Sequence, residues 1–521
     1  VTDRAGNYCN TMIAPQRDVY ISNGSPCQYE AAFTFHGFRY LRVSGTESVH
    51  KEDFTAVALS TEKENLGAFE CSDPRLNRLY QNIRWSQRSN MLSIPTDCPS
   101  REKGGFTGDI QIYAKTAMLN EEMTPFLTGW LKNLKAAQAE NGAVPITVPE
   151  TAPYRRLMAA NAREFGDEPP VGVAGWSDAA VLVPYAMYWL TGNRRILEEQ
   201  YESMTHWCGY IIRTAEGRRG DSGLSHELDS VLWNTGFHFG EWLIPSEEKG
   251  ITQKEACQRS AFYTAPIFGY LSVKCMAEIS EVLQKPEKAY YSRTAGQMKA
   301  AIQTALICDG ELRSQNMGAY VLMIAFDLVP ERCKEHFAQK LISLLDSHHG
   351  CLDTGFLATP FLLDAFVKIG RRDLAIKLLW QTQMPSWLYE VEQGATSVWE
   401  SWDAITPGSE PRITSYNHYA FGCVDAWIFE NIAGIRALEP GFRRVEIAPD
   451  PDGLPLEYCR RSFRCEYGDL LVFWDRQTLR VSIPCGVWAV IRWKGALHEV
   501  GSGEYTFTEP HRGGDQNERT G

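Results

Sequence analysis

No hydrophobic run in this sequence approaches the roughly 18 residues that a membrane-spanning helix needs. Also missing are HExxH, GxxxxGKS/T, GxSxG, and a GxGxxG following a strand pattern. That removes the usual signatures of zinc peptidases, P-loop enzymes, serine hydrolases and dinucleotide-binding enzymes. Basic residues are in the minority, 52 Lys and Arg against 64 Asp and Glu, giving a net charge of -12. With no long basic run, a nucleic-acid partner is not expected. The fourteen cysteines form no CxxC pair and no Cys/His spacing that suits zinc. In a chain this long they read as buried thiols, which favours a reducing compartment. The chain opens on polar Val1-Thr2-Asp3-Arg4 without an initiator Met. A trimmed start is therefore expected, and the compartment stays open between cytoplasm and periplasm.

Patterning divides the chain into four parts. Short β-branched or aromatic runs at 18–21, 31–35, 39–43 and 55–59 predict strands. They are too few for a sandwich of their own, so 1–66 is expected to be the end of one. From Pro74 the period changes, with Leu76, Leu79, Tyr80 and Ile83 at i, i+3, i+4, i+7 behind an N-cap at Ser72 or Asp73. Helical patterns recur at 110–119, 122–139, 177–191, 194–213, 258–282, 285–307, 316–328, 331–347, 359–368, 371–381 and 418–434. No repeat of about 30–45 residues accompanies them, so 67–436 suits two concentric helix rings better than a solenoid. Strands return at 442–447, 456–459, 470–474, 478–483 and 488–493, predicting a small antiparallel sandwich over 437–507. Residues 508–521 are polar and read as a disordered tail.

Within the helical part, two acidic clusters stand about 300 residues apart. The first is Asp97-Cys98-Pro99-Ser100-Arg101-Glu102-Lys103-Gly104-Gly105-Phe106-Thr107-Gly108-Asp109. Pro99 and the glycines exclude a continuous helix, so this is a loop entering a helix near Asp109. Taken alone it is an ordinary solvated turn. The second cluster runs from Trp387 to Asp403 and sets Glu400 between Trp399 and Trp402. Aromatic neighbours can desolvate a carboxylate or stack a sugar ring. One carboxyl held protonated and another held ionised is the equipment for cleaving a glycosidic bond. Asp178 in Gly175-Trp176-Ser177-Asp178 is equally readable as a first-turn helix acid. Gly240-Glu241-Trp242 is either a sugar-stacking loop or plain packing. His418 opens a helix, where a lone histidine is more often structural. Asp353 in Asp353-Thr354-Gly355-Phe356 ranks last.

These stretches, together with Phe35-His36-Gly37-Phe38-Arg39-Tyr40, Pro385-Ser386-Trp387-Leu388-Tyr389, Gly394 to Asp403 and Asn417-His418-Tyr419-Ala420, occur in one order. In that order they resemble the bacterial α-L-rhamnosidases of glycoside hydrolase family 78, over about residues 15 to 505. The resemblance implies an (α/α)6-barrel catalytic domain, the end of an N-terminal β-sandwich and a C-terminal β-sandwich. It implies hydrolysis of terminal α-L-rhamnosides with inversion, without metal or other cofactor. By position, Glu102 matches the general acid and Glu400 the general base. Asp97, Arg101 and Asp109 match rhamnose-binding residues, and His418 a binding-site histidine. Trp176, Asp178 and Trp242 fall near pocket-lining positions, and Phe106, Trp176 and Trp402 are expected as apolar walls for the deoxysugar. The expected partner is a carbohydrate, with no nucleic acid or membrane, and a homodimer is compatible.

Two departures bear on specificity. The family usually carries an Asp between the residues matching Arg101 and Glu102, and Phe106 stands where a Trp is usual, losing an indole donor. Another terminal sugar, or binding without catalysis, is the competing reading.

Overall fold

A computed structural model describes residues 16–38, 40–46, 48–151, 170–217, 224–247 and 251–508. The helical body begins at Asp73, whose carboxylate accepts from Arg75 N at 2.9 Å, with Pro74 at the first helical position. The helix Pro74–Asn90 buries Leu76, Leu79, Tyr80 and Ile83, the face that the sequence spacing marks. Helices Thr107–Asn120, Thr124–Ala137, Ala179–Thr191, Arg194–Gly217, Gln253–Val282, Lys288–Leu306, Met317–Ala325, Lys334–Ser347, Thr359–Lys368 and Arg372–Leu379 follow. They overlap the predicted patterns and pack against neighbours along the chain, as Gln253–Val282 does on Lys288–Leu306.

The pattern at 418–434 is not one α-helix. It runs as a 3-10 turn Ala420–Cys423, an α-helical turn Val424–Trp427 and a π-helical turn Ile428–Ile432. Side chains from elsewhere take carbonyls in this stretch. Trp387 Nε1 donates to Phe421 O at 2.9 Å and Thr116 Oγ1 to Cys423 O at 3.0 Å. Trp474 Nε1 donates to Ile432 O at 2.8 Å.

At the C-terminal end, two sheets form. The five-stranded one is ordered Gly67–Cys71, Tyr458–Cys465, Gly468–Asp475, Thr478–Ile483, Gly503–Thr508, all antiparallel. Its first strand thus comes from before the helices. The four-stranded sheet is ordered Ala496–Val500, Trp488–Trp493, Arg444–Ile447, Ile435–Ala437. Its Trp488–Trp493 and Arg444–Ile447 strands are parallel, a departure from the expected all-antiparallel arrangement.

The runs predicted as strands at 18–21, 31–35, 39–43 and 55–59 are corrected. The described residues from 16 to 65 hold no strand, only a 3-10 turn at Lys51–Asp53 and a single bridge from Asn65 to Glu121. Val19, Ile21, Phe33, Leu41 and Val57 are exposed. A strand requires a neighbour to complete its hydrogen-bond ladder, and β-propensity alone does not hold one in water. No such neighbour adjoins these segments among the described residues. Arg39 and the tail from 509 lie outside the described residues.

All described cysteines are free thiols, and Cys27, Cys308 and Cys485 are the exposed ones.

Candidate active site

The acidic loop closes on itself before the helix Thr107–Asn120 starts. Asp97 N donates to Gly104 O at 2.9 Å, and Gly104 N returns a bond to Asp97 Oδ1 at 2.7 Å. Cys98 bridges the interior of the turn: its thiol lies 2.7 Å from Asp97 Oδ2, and Glu102 N lies 3.3 Å from its sulfur. Asp109 falls in the first turn of the helix, where the N-terminal dipole favours a carboxylate. Gly108 is required by its surroundings, because a Cβ there would lie 2.6 Å from the Trp176 ring. The helix therefore packs its first turn directly on the indole.

Glu400 lies in an irregular segment fixed by a reciprocal pair with Ser415. Glu400 N donates to Ser415 O at 3.0 Å, and Ser415 N to Glu400 Oε2 at 2.8 Å. Thr414 Oγ1 at 3.0 Å and Arg101 Nη1 at 3.2 Å donate to the same oxygen. Three donors thus converge on one carboxylate oxygen, each a charge-assisted bond if that carboxylate is ionised. Arg101 carries this contact across from the acidic loop, so the two clusters meet.

Glu102 is placed oppositely. Burial, and next the charge of Glu400, push its carboxyl up to about 7, against the lowering effects of Arg101 and His418. Asp97 is raised well above the usual carboxylate range by burial and by the charge of Glu102. His418 is buried with its Nε2 3.1 Å from Asp109 Oδ1. Burial alone would lower its pKa, but the Asp109 bond and the charges of Asp109, Glu400 and Asp97 raise it to about 9. Asp97, Arg101, Glu102, Asp109, Glu400 and His418 thus form one electrostatically connected group.

The other expected residues divide. Trp176 is buried and packs on Phe239 with ring centroids 4.8 Å apart, and Phe239 meets Trp242 at 5.4 Å. Phe106 is the residue before the helix Thr107–Asn120. Trp402 stacks on Phe421 at 4.4 Å and meets Trp387 edge-on, and its indole nitrogen has no protein partner. Asp178 is fully buried: Oδ1 accepts from Ser272 Oγ at 2.6 Å and Trp207 Nε1 at 3.0 Å, and Oδ2 from Gly175 N at 2.7 Å. Both its oxygens are engaged in holding the turn that carries Trp176.

Sequence reasoning missed Thr414 and Ser415, loop residues whose only signal is polarity. It also weighed Trp242 above its neighbour Glu241. That carboxylate is buried and accepts from Gly355 N at 2.8 Å and Ala358 N at 2.6 Å, while Phe356 N donates to Trp242 O at 2.9 Å. The Phe356 ring in turn lies edge-on to His418, centroids 5.4 Å apart. Asp353, between Ser246 and His348, is likewise an internal brace. Among the described residues, no group of three or more His, Cys, Asp or Glu is arranged to hold a metal ion, and no helix is long and apolar enough to cross a membrane.

Three family models match the chain in order. The bacterial alpha-L-rhamnosidase concanavalin-like domain matches residues 3–60, the 6 hairpin glycosidase domain 64–432 and the C-terminal domain 434–500. An alpha-L-rhamnosidase of Streptomyces avermitilis is 34% identical over 96% of this chain and 48% of its own length. One from Formosa agariphila is 33% identical over 89% of this chain and 48% of its own. The chain therefore spans about half the length of the curated relatives it matches. The crystal structure of the Streptomyces avermitilis alpha-L-rhamnosidase complexed with L-rhamnose is similar at TM-score 0.75, with 32% identity, 86% of this chain and 43% of that one covered. An Aspergillus terreus alpha-L-rhamnosidase gives TM-score 0.76, 30% identity and coverage of 87% and 51%.

Proposed function

The chain belongs to the bacterial α-L-rhamnosidase family, and from that premise we propose that it is an inverting exo-glycosidase releasing terminal α-L-rhamnose. The observation that carries the reading is the unlike treatment of two carboxyls in one group. Glu102 has its pKa pushed up to about 7 by burial and by Glu400, while Glu400 accepts from Arg101, Thr414 and Ser415. Glu102, protonated, gives its proton to the leaving glycosidic oxygen. Glu400, ionised, takes a proton from a water attacking the anomeric carbon on the opposite face. The proposal includes roughly 6.5–9.5 Å between the two carboxyl groups, the space an inverting enzyme leaves for that water.

Asp97, Arg101, Asp109 and His418 hold ring hydroxyls in this reading. Phe106, Trp176, Trp242 and Trp402 supply the apolar walls that suit a sugar with a methyl group. Asp178 contributes through the Trp176 turn, since its oxygens are already bonded. The helices 67–436 are proposed to close as an (α/α)6 barrel, with the sheets of 437–507 as its C-terminal sandwich.

Proton NMR of p-nitrophenyl α-L-rhamnoside hydrolysis tests the reading. The β anomer of rhamnose is expected to appear first. The α anomer would overturn inversion, and inertness on rhamnosides with cleavage of another terminal sugar would overturn the substrate. Phe106 and the shortened Arg101-Glu102 motif are the features that favour that second outcome.

A further inference from the structure

The acidic loop is tied to a segment far from it in sequence that the proposed chemistry does not use. Lys103 Nζ donates to Phe35 O at 2.5 Å and lies 4.9 Å from the centre of the Phe35 ring. Gly37 N donates to Pro99 O at 3.0 Å, and Gln16 Nε2 to Ser100 O at 2.5 Å. Contact at Gly37 is close enough that a Cβ there would lie 2.8 Å from Pro99 O. Lys103 itself has φ of 53°, a left-handed conformation that a non-glycine residue keeps only when its surroundings fix it. It immediately follows Glu102, so whatever holds Lys103 sets the direction of the proposed proton donor.

We propose that the Phe35–Gly37 segment is a brace for the proton-donor loop, and that Lys103 is the positioning residue through which it acts. This rests on the reading of Glu102 as the acid. Phe35-His36-Gly37 is one of the motifs that the fold leaves without a strand, and bracing gives it a role. The ammonium grips a backbone carbonyl and a ring, both acceptors of positive charge. That grip holds the strained backbone and keeps Glu102 half-buried, faced by Arg101, Asp97, Asp109, Glu400 and His418. Released, the loop lets water reach Glu102, and its carboxyl titrates closer to the ordinary carboxylate range.

Lys103→Met keeps the apolar stem and loses the ammonium, Gly37→Ala presses on Pro99 from the other partner, and Lys103→Arg restores the charge. Lys103→Met and Gly37→Ala should each lower kcat by about tenfold or more, within the range that misplacing an acid produces. In both, the alkaline limb of the pH profile should move to lower pH, and the double variant should be less than additive. Lys103→Arg should recover much of the loss. Unchanged kcat and an unmoved alkaline limb in both single variants would overturn the brace. Hydrogen exchange at the Gly37 amide and at 97–104 reads the same contact without activity. If wild type cleaves no rhamnoside, the functional reading fails, whereas unaltered exchange in Lys103→Met sinks the brace alone.

Discussion

Arg101 Nη1 lies 3.2 Å from Glu400 Oε2, so the residue directly before the proposed acid is a ligand of the proposed base. One guanidinium therefore acts on both carboxyls. It donates to Glu400, and its charge pulls the Glu102 pKa down, opposing burial. The proposed division of labour between two chemically similar groups rests on which of them receives the donors.

Replacing either carboxyl is expected to remove turnover while leaving sugar binding. Glu102→Gln and Glu400→Gln should each lose about 10²–10⁴-fold in kcat, the usual worth of a positioned acid or base. Glu102→Gln should lose less on a nitrophenyl leaving group, which needs little protonation, than on a sugar leaving group. Azide needs no deprotonation to attack, so it should restore rate to Glu400→Ala and not to Glu102→Gln. Steady-state kinetics on the two substrate types checks both statements, and wild-type-like rates in either variant remove that residue from the mechanism.

Activity should fall as pH rises through about 7, because the proposed acid Glu102 would have to be protonated to donate and its pKa is raised to about 7. Arg101→Met removes a lowering influence, so the alkaline limb of kcat against pH should move upward. Its sign is opposite to the shift expected for Lys103→Met, which makes the two variants mutual controls. A downward shift in Arg101→Met would contradict the electrostatic assignment.

Stability depends on a second buried charge pair, remote from this chemistry. Arg461 and Asp425 are both fully buried and joined at 3.0 and 3.2 Å, linking the strand Tyr458–Cys465 to the turn Val424–Trp427. The guanidinium also lies over the rings of Tyr80 and Phe429, 5.0 and 5.2 Å from their centres. Asp425→Ala strands that charge in the core and should cost about 3–5 kcal/mol. The exposed pair Arg464–Asp469 should be worth far less, because solvent screens it. Denaturant titrations of Asp425→Ala and Asp469→Ala compare them directly, and equal losses would sink the distinction.

Much was determined by the sequence alone. Alternation marks the strand Thr478–Ile483 to the residue, an aromatic and β-branched run marks Trp488–Trp493 likewise, and helical spacing finds the buried face of Pro74–Asn90. Alternation and helical spacing are local records of which side faces the core. The order of the acidic and aromatic motifs likewise points to the family that the comparisons identify. Where long-range partners decide, the local pattern misleads. The β-rich runs before residue 65 form no strands among the described residues, since propensity does not supply a ladder. The helical pattern at 418–434 breaks where Trp387, Thr116 and Trp474 take its carbonyls.

The site divides in the same way. Glu102 and Glu400 are legible as a pair of acids, but their unlike environments are not. Only the folded chain brings Arg101, Thr414 and Ser415 to one oxygen of Glu400 and leaves Glu102 half-buried beside it. It also turns Asp178 and Glu241 inward as clamps on the turns that carry Trp176 and Phe356. A sequence names the ionisable groups, whereas burial and the placement of donors across hundreds of residues set their protonation.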